Sequence, residues 1–267
     1  MADKTTGCWE KPRAVQALRS RGSSCDSILG FCPIKSRAAR REGALRSHGS
    51  ESLVDAKIRQ RMQRLLGVVD EHDTTGPRLV DDAARLWRRV QRFLKDGLIG
   101  ADVNAEALEL ACYALQLPMR ERKLLPTGKL GRTSLKDRAE HAAELLVSQL
   151  GETASEELLD QSTRILQELP QRTPVLDEAK LLADALNLDD FGATGLFAQA
   201  MQMSRTGDGV KQVAEGCEKR EQYGYWDARL RDGFHFPPIR EIAKRRLEAA
   251  RAACKLLTDE LNEDGTT

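Results

Sequence analysis

The sequence predicts an all-α protein: one helical bundle of about eight helices, preceded by a disordered basic leader. Three observations carry that expectation. Leu, Ala, Arg and Glu dominate while aromatics make up only 4% of the 267 residues, and unbranched side chains lose little rotamer freedom in a helix. Apolar residues recur at steps of three and four through most of the chain after residue 50, which puts them on one face of a helix. No stretch alternates apolar and polar residues over strand length, and neither Asp96-Gly97 nor Asp232-Gly233 joins two β-branched runs as a hairpin turn would.

The net charge of +1 hides an asymmetry. Residues 1–50 hold 10 Lys/Arg against 4 Asp/Glu, a net +6, and the remainder holds 32 against 37, a net −5. Gly, Ser and Arg cluster in the first segment, as in Ser36-Arg-Ala-Ala-Arg-Arg41, with poor apolar periodicity. That composition reads as a disordered leader, or as a start placed too far upstream of the folded part. A basic leader is the one feature that would attract nucleic acid; it is expected to bind none. No apolar run approaches the roughly 20 residues needed to span a bilayer, and Met1–Leu18 lacks the apolar centre of a signal peptide. No membrane partner and a cytoplasmic location are expected. None of the six cysteines forms a C-x-x-C pair or has histidines at zinc-site spacing, so all six are expected as reduced thiols.

The elements follow in order. A helix is expected over about 52–68, ending near Gly67, and the loop Asp73-Thr-Thr-Gly-Pro77 follows. A second helix covers about 79–96 with Leu86, Val90 and Phe93 on one face, and a third covers about 104–117 with Leu108, Ala111, Cys112 and Leu115 in register. Residues 118–133, with Pro118, Pro126, Gly128 and Gly131, read as a polar loop. Ser134 caps a fourth helix, with Asp137 three residues on, and Gly151 stops it. Helices over about 155–169, 175–187 and 191–203 come next. The stretch Tyr223–Phe236, with two of three tyrosines, reads as a loop tucked over the core or as a binding surface. A final helix carries Ala243, Leu247, Ala250, Cys254, Leu257 and Leu261 as a stripe for burial.

There is no Gly-rich phosphate loop, no H-E-x-x-H and no G-x-S-x-G. With four histidines (His48, His72, His141 and His235) few metal or acid–base sites are available. The segment Asp177-Glu-Ala-Lys-Leu-Leu-Ala-Asp-Ala-Leu-Asn-Leu-Asp-Asp-Phe-Gly-Ala-Thr-Gly195 resembles the distal motif of the HD superfamily, an E-A-K run followed by an Asp, L-D and G-A-x-G. The helix with Arg138, His141, Ala143 and Glu144 is similar to the family's H-A-x-x-S-A-E segment, and Leu86-Trp-Arg-Arg-Val90 to its early H-h-x-R-V helix. The resemblance covers about residues 75–262. It implies a helical phosphohydrolase scaffold in which a His, a His-Asp pair and a distant Asp hold one or two divalent metals, lowering the pKa of bound water and neutralising phosphate charge.

The chain departs from that pattern at the ligands. The early His falls at Arg85 or Leu86, and the His-Asp pair at Leu115 and Gln116. Only Asp184 matches a metal-ligand position, and where the family's ligand is the Asp two residues later, this chain has Leu186. His72-Asp73 lies in a loop and is read as loop residues. The expectation is therefore a degenerate, catalytically inactive HD-type protein with no cofactor. It would bind a phosphorylated or nucleotide-like ligand or a protein partner. Arg138, Lys180 and Arg89 are candidates for retained phosphate affinity, or else solvated or ion-paired to Glu140, Glu144 or Asp184. His141 faces the old pocket or is an ordinary helix histidine. Arg229, Arg231 and His235 approach a ligand from the aromatic stretch. Asp184 and Asp189 survive as remnant ligands or as ion-paired carboxylates. Two alternatives stand beside this reading. An active phosphohydrolase with rearranged ligands would bring Asp184, Asp189 and His141 together around a divalent metal. A plain scaffold would plug the old cavity with Leu115, Gln116 and Arg85.

Overall fold

The computed structural model describes residues 54–67, 76–99, 102–124, 134–204, 207–263 and 265. The basic leader, His72-Asp73 and the Pro126–Gly131 segment lie outside the described residues. Among the described residues every regular element is helical: eleven α-helices and one 3-10 turn. None of these helices is long and apolar enough to cross a membrane.

Helix α1 (Ala56–Gly67) lies on α2 (Gly76–Lys95) and on α3 (Ala105–Ala114). Helix α4 (Leu117–Leu124) packs on α5 (Leu135–Leu150), and α5 on α6 (Glu156–Glu168), which also covers α3. Helix α7 (Asp177–Asn187) meets α2, α3 and α6, then tightens into the 3-10 turn Leu188–Asp190. The C-terminal group follows: α8 (Gly192–Ser204), α9 (Val210–Gln222), α10 (Tyr225–Asp232) and the long α11 (Pro237–Glu263), with α8, α9 and α10 all against α11. One continuous apolar core runs from Val54 to Leu247, and Leu86, Leu108, Leu115, Leu146, Leu166 and Phe191 are among its fully buried members.

The Ser134 cap read from sequence is in place, and Ser155 caps the next helix in the same way. The Ser134 hydroxyl accepts from the Asp137 amide at 3.0 Å and Ser155 from the Leu158 amide at 3.3 Å, each satisfying one orphan donor of a helix start. Three helices depart from the expectation. The polar loop expected from Pro118 opens instead with α4: Pro118 sits in the first turn, where its missing N–H costs nothing and its fixed φ suits the helix. Helix α9 buries only Val213, Ala214 and Cys217, too few apolar residues to register as a stripe. The aromatic stretch is not a loop: Gly224, at φ +61°, ends one helix and starts α10, which buries Trp226. Trp226 and Phe234 both pack on Phe191, with ring centroids 5.5 and 5.4 Å away, a separation typical of favourable tilted pairs.

Helix α1 is tied down by Glu109, which is 1% exposed on α3. Its carboxylate accepts from Arg59 at 2.8 Å and from the Val54 amide at 3.3 Å. Nothing in the helical periodicity marks Glu109, because its position on α3 is a core position.

Candidate functional site

Leu86 lies on α2, Leu115 and Gln116 follow α3, Asp184 lies on α7, and all four are buried. Leu86 and Leu115 are core residues, 2% and 0% exposed. Gln116 is buried too, and its side-chain oxygen accepts from Arg138 at 3.0 Å while the Leu115 carbonyl accepts from the same guanidinium at 2.9 Å. Arg138 thus closes the C-terminal end of α3, and does not pair with Glu140, Glu144 or Asp184. Burial pushes its pKa down from the ordinary value, against the pull of Asp82.

Asp184 is completely buried. Its two carboxylate oxygens accept from the backbone amides of His235 (2.8 Å) and Phe236 (2.9 Å), the residues that lead into α11. Burial pushes the carboxyl up to about 7, against those two amides and the charge of Arg240. His235 supplies this amide, and its imidazole is pushed below its ordinary pKa by burial and by Lys180 and Arg240. Lys180 itself pairs with Asp177 at 2.7 Å.

Among the described residues no group of three His, Cys, Asp or Glu side chains could hold a metal ion. Asp184, Asp189 and His141 have separate partners, and His141 faces Glu144 at 3.3 Å on an exposed stretch of α5. Leu86, Leu115, Gln116 and Asp184 therefore belong to no such group among the described residues.

What the structure does assemble is a cluster of guanidinium groups around Asp189. Asp189 lies in the 3-10 turn and receives Arg85 and Arg89 from α2, each at 2.6 Å. Arg85 also reaches Asp82 at 3.3 Å, and Arg89 donates to the Ala185 carbonyl. Burial works to raise the Asp189 carboxyl, but the two arginines outweigh it and hold it below the ordinary carboxylate range. Arg246 comes to the same place from α11, with its guanidinium 3.4 Å from the Leu188 carbonyl. Its pKa is pushed down by burial and then by the charges of Arg89, Arg92 and Arg85, with Asp189 opposing. Gly192 makes the approach possible: at φ +77° it is in the left-handed region, and a Cβ there would stand 3.2 Å from the Cβ of Arg246.

The remaining candidates disperse. Arg229 donates to Asn187 (2.9 Å) and Asp190 (2.6 Å), fastening α10 to the 3-10 turn. Arg231 pairs with its neighbour Asp232 on an exposed face. Sequence reasoning missed Arg246, because it enters from a helix 58 residues beyond Leu188 and outside the motif that carries Asp189. Only the glycine at 192 hints that something passes close by.

Asp190 and Gly192 border a cavity of about 410 Å³. Leu196, Cys217, Trp226, Leu247 and Cys254 line it, with Arg251 and Glu221 at its edge. Arg251 pairs with Glu221 at 2.7 Å and with Asp227 at 3.2 Å.

No family model matches the chain, and no curated protein matches it. Among solved structures, the chain is similar to Bacillus subtilis YpgQ, crystallised in complex with ADP, at 22% identity and a TM-score of 0.49; the match covers 76% of this chain and 93% of that one.

Proposed function

We propose that this chain is a non-catalytic, HD-type helical protein that binds a phosphorylated or nucleotide-like ligand, with Arg85, Arg89 and Arg246 as the receiving surface. The observation that carries the reading is the charge balance around Asp189. Three guanidinium groups from two helices act on one carboxylate, and Arg246 is depressed by burial and by its arginine neighbours. A phosphate oxygen supplies the negative charge that the cluster lacks, and the planar fork of Arg suits it. Arg85, the most exposed of the Asp189 partners at 40% of its side chain, is where a ligand first meets the cluster. The non-catalytic part of the reading is supported by the Leu86 and Leu115 side chains in the core and by the commitment of both Asp184 oxygens to backbone amides.

The test is calorimetric titration of the full chain with inorganic pyrophosphate and with nucleoside di- and triphosphates. Saturable binding that weakens as salt rises is expected. Arg246→Ala is expected to weaken it about ten-fold or more, the magnitude of one charge-assisted hydrogen bond. No binding by any of these anions, or affinity unchanged in both Arg246→Ala and Arg85→Ala, overturns the proposal and leaves the scaffold reading. Release of orthophosphate on adding Mn²⁺, abolished in Asp184→Ala, would instead favour an active phosphohydrolase.

A further inference from the structure

The wall of the 410 Å³ cavity brings together two thiols from different helices. Cys217 projects from the buried face of α9 and Cys254 from the half-buried stripe of α11, 37 residues later. Their sulfur atoms stand 2.9 Å apart. A disulfide bond is about 2.05 Å long, so closure needs the sulfurs to approach by about 0.9 Å. Both cysteines border the cavity, which is large enough to admit a small reagent. The third described cysteine, Cys112, is sealed in the core of α3, away from the cavity lining.

We propose that Cys217 and Cys254 form a redox-active dithiol, which a low-molecular-weight disulfide of the glutathione class oxidises to a disulfide stapling α9 to α11. The Cys217 thiolate attacks one sulfur of the small disulfide, whose S–S bond breaks. The departing thiolate takes up a proton from solvent. Cys254 then loses its proton to solvent and attacks the Cys217 sulfur, releasing the second small thiolate, which is protonated in turn. Two protein thiols are oxidised and one small disulfide is reduced to two thiols.

The neighbourhood assigns the order. The hydrogen bond from the Cys254 thiol, and then the charge of Arg220, hold the Cys217 thiol below its ordinary pKa against burial and the charges of Glu218 and Glu221. The same hydrogen bond and burial push the Cys254 thiol up. The thiolate is the nucleophile in such exchange, so Cys217 reacts first. Capping Cys217 removes its negative charge and frees Cys254 to resolve the mixed disulfide. The chemistry is independent of the arginine cluster and of what binds there.

The experiment uses the full chain with Cys8, Cys25 and Cys32 replaced by serine, exposed to excess oxidised glutathione. Remaining thiols are then alkylated, and the chain is digested without reduction for mass spectrometry. The expected product is the Cys217–Cys254 cross-linked peptide pair, lighter by two hydrogens than the reduced pair. In Cys254→Ser, Cys217 is expected to accumulate as the glutathione mixed disulfide. In the reduced protein, Cys217 is expected to alkylate several-fold faster than Cys254. Recovery of both cysteines alkylated, both separately glutathionylated, or cross-linked only after unfolding in urea overturns the proposal. Far-UV circular dichroism identifies any variant that has lost its helices, and in Cys217→Ala Cys254 is expected to be recovered alkylated, because the attacking thiolate is gone.

Discussion

At the scale of single residues, Asp184 carries the sharpest expectations. Its carboxylate satisfies two backbone amides that would otherwise be buried donors without partners. Asp184→Ala is expected to cost about 2–5 kcal/mol, since each orphaned buried donor costs roughly 1–3. Urea denaturation measures it, and a loss under about 1 kcal/mol would mean that the amides find other partners. The pH dependence follows from the same burial. The folded carboxyl titrates at about 7 and the unfolded one at 3.8, so between these values the folded chain holds a proton that the unfolded chain has released. The stabilisation from this group is present below about pH 4 and lost as pH rises through about 7. Urea midpoints at about pH 5 and about pH 8 should therefore differ less in Asp184→Asn than in the natural chain; equal differences would contradict the burial argument.

At the scale of elements, the segment most legible in the sequence was Asp177–Gly195, and the reasons for its two motif glycines are now physical. Gly192 lets Arg246 pass, and Gly195 lies against the 3-10 turn so closely that a Cβ would stand 2.2 Å from the Asp190 carbonyl oxygen. Gly195→Ala must push α8 away from the turn. A drop of about 2 kcal/mol or more is expected, with weaker near-UV signal from Trp226 as the Phe191 contacts loosen; an unchanged thermal midpoint would show that the turn yields freely. Eight helices were readable because their apolar stripes and serine caps are local signals. Helix α4 was not, because Pro118 reads as a breaker although the first turn tolerates it. Helices α9 and α10 were not, because they bury few residues and owe their stability to α11. The candidate site was half legible. Arg85, Arg89 and Asp189 stood in or near recognisable segments, but their pairing spans about a hundred residues of sequence and no periodicity encodes it. Arg138 was singled out as a phosphate binder, yet its role is to close α3, which only the positions of Leu115 and Gln116 in space disclose.

At the scale of the whole molecule, the chain divides its labour along its length. Helices α1–α7 build the main core, and α8–α11 fold over its edge around Phe191, Trp226 and Phe234. Asp189 belongs to the arginine cluster while Asp190 and Gly192 border the cavity, so the two proposed sites adjoin along the chain without sharing a residue that reacts. The ion pairs of α2 have a further consequence for synthesis. Arg89 leaves the ribosome 100 residues before Asp189, the carboxylate that neutralises it. While α3 to α6 are being made, Arg85 has only Asp82 of its own helix as a partner, and Arg89 acquires its carboxylate only when the 3-10 turn emerges. Stalled nascent chains ending before residue 188 should then be cleaved by protease within α2, and chains extended past α8 should be protected there. Protection that appears as soon as α6 is complete would mean that apolar docking alone fixes α2, and that the birth order of its charges is immaterial.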